Sequence, residues 1–439
     1  MTDFQVEVYQ NEYLPQGAAE VNAIVTVTST GSSGGSAGES AAPVSTSAAE
    51  VIIIDTSGSM HHPPTKLAAA KRATAAAIDT LRDGVNFAVI AGTDIAELVY
   101  PPTLGMRPAT SLSREEAKRA VNGLRADGGT AMGEWLLLAK ELFATQSSTL
   151  RHAILLTDGQ NVHERPKKLE RILSNVNGLF VCDCRGVGTD WEVKELRKIS
   201  DELLGSVDIV AEPEGLEADF RAMTTAAMGK EVADVSLRLW TPQGATVKFV
   251  KQVEPSLTDL TDRRVEAAPR SGDYPTGAWG SESRDYHVCI QVAPAGVGDR
   301  MLAGRVSLMS PTGDVLGKGQ VIAVWTDDTA LSTKINPEVA HYTGQAELAS
   351  AIEEGLEAQR AGQIETATSK LGRAVALAHE SGHEDTAKLL AKVVEVVDPV
   401  RGTVRLKREV TAVDAMTLES RSQVTKRVGR NTGSGEGED

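Results

Sequence analysis

The chain has 439 residues, of which 41% are hydrophobic and 24% are charged, and its formal net charge is −15. These values are typical of a globular protein with two or three domains. The negative charge and the low share of aromatic residues, 4%, argue against nucleic acid as a main partner, because phosphate groups need basic surface and bases need aromatic rings to stack on.

Targeting signals and disulfides are not indicated by the sequence. The N-terminal segment has neither the basic region nor the apolar region of a signal peptide, and no stretch reaches the roughly 18 apolar residues that a membrane helix needs. The three cysteines are an odd number and do not indicate a disulfide framework. Cys182 and Cys184, two apart on a predicted strand, are interpreted as buried thiols. Together these features favour a cytoplasmic protein without a membrane span.

The first 48 residues divide into a strand region and a linker. Residues 1–29 contain two alternating apolar patterns, which predict half-buried strands of an antiparallel sheet. Because no partner strand follows nearby, we expect these strands to pair with strands much later in the chain. Residues 30–48 are rich in glycine, serine and alanine and predict a linker. No lysine follows these glycines, so we do not interpret them as a phosphate-binding loop.

Strands and helices alternate in residues 49–229. The valine and isoleucine run at 51–54 predicts a strand buried on both faces, and similar runs at 87–91 and 153–157 predict further central strands. An apolar stripe over 132–143 predicts a helix, and Ser113 with Glu116 predicts a capping box at the start of another. The alternation predicts a doubly wound, Rossmann-like α/β domain with its sites at the carboxyl ends of the strands.

The remaining chain changes pattern twice. Residues 230–329 alternate in short runs between proline- and glycine-containing turns, which predicts an all-β sandwich. We expect residues 1–29 to complete this sandwich, so that the α/β domain is inserted in it. Residues 335–400 predict a small bundle of three helices, the last over 386–397. Residues 401–439 are predicted to be a charged, partly disordered tail. In this tail Thr425 is a candidate phosphorylation site, although we favour an unmodified residue.

A candidate metal site follows the first buried strand. Asp55, Ser57 and Ser59 are small oxygen-bearing residues at alternate positions in a tight turn, which suits a hard divalent cation. This pattern resembles the metal-ion-dependent adhesion site (MIDAS) of von Willebrand factor type A (VWA) domains. The family pattern has two further parts, a threonine in a loop after glycine and an aspartate after the fourth strand, and Thr130 and Asp158 stand at those places. The chain as a whole resembles bacterial VWA proteins, especially actinobacterial ones.

The resemblance implies a ligand set for the metal. Ser57, Ser59 and Thr130 would contact Mg²⁺ directly, while Asp55 and Asp158 would act through water; Mn²⁺ or Ca²⁺ could replace Mg²⁺. Because neutral hydroxyl ligands leave much of the positive charge on the ion, we expect the site to bind an Asp or Glu side chain of a partner protein.

Three other polar residues lie close to these motifs in the sequence. His61 and His62 precede two prolines, and we interpret them as part of a surface loop at the rim of the site. Asp94 follows a predicted strand that ends on the same side of the sheet, so it could line the rim or contact metal-bound water.

The sequence favours an interaction module over an enzyme. It contains no metallohydrolase helix motif, nucleophile elbow or phosphate loop, and a metal held mainly by hydroxyl groups is poorly suited to activating water. We therefore predict a metal-dependent intracellular scaffold or adaptor. The alternatives are an accessory subunit of an AAA+ ATPase or of a kinase or phosphatase signalling complex, a secreted adhesion protein, and a structural protein with a vestigial site.

Overall fold

The computed structural model describes residues 2–31 and 47–427 of the chain. The strands in these ranges are β1 (Asp3–Gln10), β2 (Tyr13–Pro15), β3 (Glu20–Thr30), β4 (Ala48–Asp55), β5 (Asn86–Gly92), β6 (Ala96–Tyr100), β7 (Arg107–Pro108), β8 (Leu150–Thr157), β9 (Val181–Val187), β10 (Val207–Val210), β11 (Val232–Trp240), β12 (Thr246–Glu254), β13 (Thr258–Asp259), β14 (Val265–Ala268), β15 (Ser271–Trp279), β16 (Glu282–Gln291), β17 (Arg300–Met309), β18 (Val315–Thr326), β19 (Val394–Asp398) and β20 (Thr403–Leu406). The α-helices are α1 (Thr65–Thr80), α2 (Ser111–Asn122), α3 (Met132–Ala144), α4 (Pro166–Val176), α5 (Val193–Glu202), α6 (Leu216–Met228), α7 (Thr329–Ser332), α8 (Pro337–Arg360), α9 (Ile364–Glu380), α10 (Glu384–Val393) and α11 (Ala412–Arg421).

The predicted α/β region forms a seven-stranded sheet with the order β10-β9-β8-β4-β5-β6 and with β7 paired to β5. The five strands from β10 to β5 are parallel, and β6 and β7 run antiparallel to β5. Every residue of β4 is buried. Its side chains alternate between two cores, because Ile52 and Ile54 pack with α1 and α6 while Val51 and Ile53 pack with α3, α4 and α5. The sheet is therefore covered by helices on both faces, as predicted for a doubly wound fold.

The antiparallel strands form two sheets that share one apolar core. One sheet has the order β1-β3-β16-β12-β13 and the other β14-β15-β11-β17-β18-β2. Val25 and Tyr286 of the first sheet lie in the same cluster as Leu237 and Trp325 of the second. The strands before residue 31 pair with strands after residue 230, β3 with β16 and β2 with β18. Most of the predicted linker, residues 32–46, lies outside the described part of the chain. The α/β region thus lies, along the chain, between the two parts of the sandwich. In addition β1 pairs with β3, a local pairing that the sequence analysis did not expect.

The C-terminal region is helical with one small hairpin. Helices α8, α9 and α10 pack through Ile352, Leu371 and Leu390. The predicted end of the third helix at residue 397 is wrong, because α10 ends at Val393 and the next residues pair with β20 as strand β19. Residues after 400 also form strand β20 and helix α11. The last twelve residues of the predicted tail lie outside the described part of the chain.

The segment after α11 returns to the sandwich. The backbone N–H of Leu257 donates to the carbonyl of Gln423 at 2.9 Å, and Arg427 forms an ion pair with Asp285 at 3.1 Å. Thr425 is only 9% exposed, and its hydroxyl donates to Glu254 at 2.7 Å. A kinase could reach this hydroxyl only if the segment were released, so the structure favours the unmodified residue.

The start of helix α2 differs from its prediction. The N-cap is Thr110, whose side chain accepts from the backbone N–H of Ser113 while the Ser113 hydroxyl accepts from the N–H of Thr110. The predicted capping box of Ser113 with Glu116 is wrong by one helical turn. Among the described helices, none is both long and apolar enough to cross a lipid bilayer.

Candidate metal centre

Three loops meet at the carboxyl edge of the parallel sheet. Asp55 ends strand β4, and the chain then turns through a short 3₁₀ helix, Gly58–His61. The N–H of Gly58 donates to the carbonyl of Gly128 at 3.0 Å, which ties this turn to the loop before α3. The Ser59 hydroxyl donates to Asp158, just after β8, at 2.6 Å. Segments that are distant in sequence are thus held together by direct hydrogen bonds.

The hydroxyl groups of Ser57 and Ser59 lie close enough together to be neighbouring ligands of an octahedral cation. They are hydrogen-bonded to each other, with their Oγ atoms 2.9 Å apart. Neighbouring corners of a Mg²⁺ shell with metal–oxygen distances of about 2.1 Å are separated by about 3 Å. A Cβ atom placed on Gly159 would lie 3.2 Å from Ser59 Oγ and 3.7 Å from Thr130 Oγ1. The hydroxyls of Ser59 and Thr130 therefore face a common space, which stays open because Gly159 has no side chain. The donor set fits a hard divalent cation.

Asp55 is a buried carboxylate with both oxygens in use. One oxygen accepts from the backbone N–H of Ser57 at 2.7 Å and the other from the hydroxyl of Thr157 at 2.5 Å. Burial raises the pKa of Asp55 to about 6, while the hydrogen bonds from Ser57 and Thr157 lower it and the charge of Asp158 raises it. The ionised form is therefore costly in the absence of a cation, and a bound cation would stabilise it.

Asp158 is fully buried and its second oxygen has an unexpected partner. Lys66, near the start of α1, places its Nζ 2.7 Å from Asp158 Oδ2 and 3.4 Å from Asp190 Oδ2. Burial lowers the pKa of Lys66, but the hydrogen bonds and charges of Asp158 and Asp190 outweigh it and raise this pKa above its ordinary value. The side chain is an ammonium ion at neutral pH. The sequence analysis did not single out this lysine.

The loop that carries Thr130 is fixed from both sides. The N–H of Thr130 donates to Nδ1 of His163 at 3.0 Å, and the N–H of Gly129 donates to Asp94 at 3.3 Å. A Cβ atom on Gly129 would lie 2.3 Å from the ring of His163, so this position requires glycine. Asp94 is exposed and lies at the rim, one of the two places that the sequence analysis considered. His163 was not predicted, because a histidine five residues after Asp158 gives no sequence signal.

His61 and His62 lie at the surface next to the motif turn. Both are exposed, and their rings pack edge to face with 4.9 Å between the centroids. Their position agrees with the predicted surface loop. Among the described residues, no group of three or more His, Cys, Asp and Glu side chains could hold a metal ion. The candidate centre is thus built mainly from hydroxyl groups.

A second ionic cluster lies at the opposite, amino edge of the same sheet. His152 places Nδ1 2.9 Å from Glu50 and Nε2 3.0 Å from Asp183. Asp183 also accepts from the N–H and hydroxyl of Ser206 at 2.7 and 2.8 Å. Although burial lowers it, the charges and hydrogen bonds of Glu50 and Asp183 raise the pKa of His152 to about 10. An imidazolium therefore links the two carboxylates.

Comparison with known proteins identifies the family. Sequence profiles of the von Willebrand factor type A domain and of the von Willebrand factor type A C-terminal domain match residues 51–160 and 376–422. The solved structure of a von Willebrand factor type A protein from Catenulispora acidiphila is 54% identical, covers 97% of this chain and 98% of its own, and has a TM-score of 0.91. The chain belongs to the VWA family. The resemblance drawn from the sequence, including that to actinobacterial members, is confirmed.

More distant VWA structures share less with the chain. The ArnB paralog VWA2 from Sulfolobus acidocaldarius is 15% identical over 96% of this chain and 98% of its own, with a TM-score of 0.52, and it shares the fold. A search of curated proteins found no match. VWA domains bind a divalent metal at the MIDAS and mediate protein–protein interactions.

Proposed function

We propose that this VWA protein is a metal-dependent protein-interaction module that binds an acidic side chain of a partner through Mg²⁺. In this proposal Ser57, Ser59 and Thr130 hold the ion directly, and Asp55 and Asp158 hold its water ligands. The observation that carries the proposal is the spacing of the Ser57 and Ser59 hydroxyls, 2.9 Å, beside two buried carboxylates that already accept hydrogen bonds. Residues 49–229 would form the recognition domain, supported by the sandwich and the helices.

The donor chemistry supports both the ion and its ligand. Oxygen donors favour Mg²⁺, Mn²⁺ or Ca²⁺ over softer metals. Three neutral hydroxyl ligands neutralise little of the ion's charge, so the ion in this site supplies an attraction for one more anionic oxygen. A carboxylate of an Asp or Glu side chain is the protein group that meets this requirement.

The rim of the site supports a protein partner. Ile95 is 64% exposed and Val162 is 70% exposed. The carbonyl of Ile95 accepts from Thr93, and the residue after Val162, His163, donates its N–H to the carbonyl of Thr130. In this proposal the exposed side chains of Ile95 and Val162 would make apolar contacts with the partner at the rim.

We also propose a binding role instead of catalysis, and an intracellular location. Asp55, Asp158 and His163 each accept a hydrogen bond from within the site, so none is a ready general base. Cys182, Cys184 and Cys289 are free thiols, as is usual for proteins of a reducing compartment. An intracellular scaffold or adaptor fits both observations.

The test combines metal binding with partner capture. The wild-type chain should bind Mg²⁺ or Mn²⁺ in calorimetry and capture partners that EDTA releases. Asp55→Ala should lose both properties while keeping its circular dichroism spectrum. Asp79→Ala is the matched control, since Asp79 lies at the exposed end of α1 and pairs only with Lys118 among the ion pairs of the described residues. Equal capture by the Asp55→Ala variant, or capture that resists EDTA, would contradict the proposal.

A further inference from the structure

Lys66 occupies a position that makes it part of the metal centre without being a ligand. The residue is 6% exposed, which is rare for a lysine that is not paired. Its ammonium group bonds Asp158 Oδ2 at 2.7 Å, and the other oxygen of the same carboxylate accepts from Ser59 at 2.6 Å. A single carboxylate group therefore separates the ammonium from one of the candidate metal ligands.

The charges around the site can be counted from these contacts. Asp55 and Asp158 bring two negative charges, and the buried Lys66 brings one positive charge. Asp190, the second partner of Lys66, is 69% exposed, so solvent screens its charge. The buried part of the site thus has a net charge of one negative, half of what a divalent cation carries. With two unopposed carboxylates the site would match the ion fully.

This charge balance has opposite consequences for the metal and for the partner. An ammonium close to the site repels a divalent cation, so the metal alone binds less tightly than two carboxylates would allow. The loaded site keeps a net positive charge, so an incoming carboxylate is attracted more strongly. We propose that Lys66 couples the two binding events, so that the metal binds weakly by itself and tightly only together with the carboxylate of the partner.

The inference rests on the proposed function, and it specifies how the site is regulated. A protein with this coupling would hold its metal mainly while it is engaged with a partner. Linkage makes the effect reciprocal, because a carboxylate that tightens metal binding by some factor is itself bound more tightly by the same factor when metal is present. In this scheme Lys66 positions the carboxylate of Asp158 and sets the net charge of the site.

The experiment measures the affinity of the full chain for Mn²⁺ by calorimetry at neutral pH. Each titration is done in chloride and in acetate at equal ionic strength, with acetate as the carboxylate probe. We expect acetate to tighten Mn²⁺ binding to the wild type severalfold. We expect Lys66→Met and Lys66→Gln to bind Mn²⁺ alone about tenfold or more tightly than the wild type, because a nearby positive charge is removed, and to show a smaller acetate effect than the wild type.

Two controls separate charge from structure. Lys66→Arg keeps the charge and should retain the wild-type response to acetate. Lys71→Met removes a positive charge from the same helix, where Lys71 bonds the carbonyls of Asn122 and Leu124 and forms no ion pair with another described residue, and it should behave as the wild type. Circular dichroism identifies any variant that fails to fold, and the two neutral variants of Lys66 provide independent measurements.

The outcomes distinguish this inference from the proposed function. If the wild type binds no Mn²⁺ in either chloride or acetate, the proposed function and this inference both fail. If the wild type binds Mn²⁺ but the neutral variants of Lys66 show the same affinity and the same acetate effect, only the role of Lys66 is wrong. A loss of the acetate effect in Lys71→Met would also overturn it, because the effect would then not depend on the contact with Asp158.

Discussion

The two edges of the parallel sheet differ in how a cation contacts their buried acids. At the amino edge, the imidazolium of His152 lies between Glu50 and Asp183 and bonds both acids. At the carboxyl edge, the ion pairs of the described residues join Lys66 to Asp158 and not to Asp55, and the hydroxyls of Ser59 and Thr130 face a common space. The same two strands, β4 and β8, run from one cluster to the other. Each edge holds two acids and one buried cation, so the difference lies in where the cation is placed. A cation that contacts both acids ties its edge together, whereas one that contacts Asp158 alone leaves Asp55 available to an external cation.

The largest expected effect comes from breaking the amino-edge cluster. His152→Leu removes the cation between two acids, one of which, Glu50, is fully buried. Breaking a buried ion pair by removing one partner costs about 3–5 kcal/mol, so the urea midpoint should fall strongly. The Mn²⁺ affinity of the folded variant should be unchanged, because the cluster lies at the opposite edge of the sheet.

A second variant separates charge from packing at His152. Glu50→Gln combined with His152→Leu removes a buried charge together with its partner and should regain part of the lost stability. If the double variant is no more stable than the single one, packing and not charge accounts for the loss. A change in Mn²⁺ affinity in either variant would show that the two edges are coupled, contrary to the comparison.

At the carboxyl edge, removing a charged group is expected to stabilise the metal-free protein. Burial raises the pKa of Asp55 from 3.8 to about 6, so the folded metal-free protein retains a proton that the unfolded chain releases between these values. Its stability therefore falls as the pH rises from about 4 to about 6. Asp55→Asn lacks this loss, and without metal it should be more stable than the wild type by up to about 3 kcal/mol above pH 7. Urea denaturation in EDTA at several pH values measures this difference.

The effect of Asp55→Asn on metal binding should be opposite to its effect on stability. The same Asp55→Asn variant should bind no Mn²⁺ in calorimetry, although it is the more stable protein. If Asp55→Asn were less stable than the wild type in EDTA, the hydrogen bonds of the site would be enough to stabilise the Asp55 carboxylate without a cation. The carboxyl edge would then resemble the amino edge, and the comparison would fail.

The sequence analysis named the motif residues, whose role in binding metal stays a prediction, but it did not identify the residues that surround them. The buried run before Asp55 and the glycines before Thr130 are local patterns, so their places in a doubly wound fold follow from periodicity. Lys66 pairs with a residue 92 positions away, and a lysine in the first turn of an amphipathic helix normally indicates solvent exposure. Only the three-dimensional approach of α1 to the end of β8 shows that it is buried.

Errors at element ends have similar physical causes. Thr110 and Ser113 both satisfy the pattern of an N-cap, and the local sequence does not decide which hydroxyl accepts from which N–H. Valines at 393–397 continue the helical pattern of α10, but they are also β-branched residues that favour strands. Pairing with β20, which lies beyond a turn, determines that β19 begins at Val394.

A smaller effect should follow from removing one hydrogen bond to Asp55. Thr157→Val deletes the hydroxyl that donates to the buried carboxylate at 2.5 Å and that also accepts from the N–H of Gly159 at 3.2 Å. A hydrogen bond to a charged group contributes about 1.5–3 kcal/mol, so the metal-free variant should lose about 2 kcal/mol at neutral pH. Its Mn²⁺ affinity should also fall, because the charged form of Asp55 is less stabilised. Urea denaturation and calorimetry measure the two effects.

Thr74→Val is the matched control for Thr157→Val. Thr74 is fully buried in α1, and its hydroxyl has no hydrogen-bond partner among the described residues. The replacement should therefore leave stability unchanged or raise it slightly. If Thr157→Val and Thr74→Val behave alike, the Thr157 hydroxyl does not stabilise the carboxylate, and the account of the carboxyl edge would need another donor.

The smallest effect is the stabilisation by metal itself, and it should depend on pH. A ligand that binds only the folded state at ten times its Kd stabilises that state by about 1.4 kcal/mol, so Mg²⁺ should raise the melting temperature by a few degrees above pH 7. Binding requires ionised Asp55, whose pKa is about 6 without metal, so the shift should shrink as the pH falls below 6. His152→Leu should melt earlier but show the same Mg²⁺ shift, since residue 152 lies at the opposite edge of the sheet from Asp55. A Mg²⁺ shift that is equal at pH 5 and pH 8 would mean that the ion acts away from Asp55, and the hydroxyls at the carboxyl edge would then need another explanation.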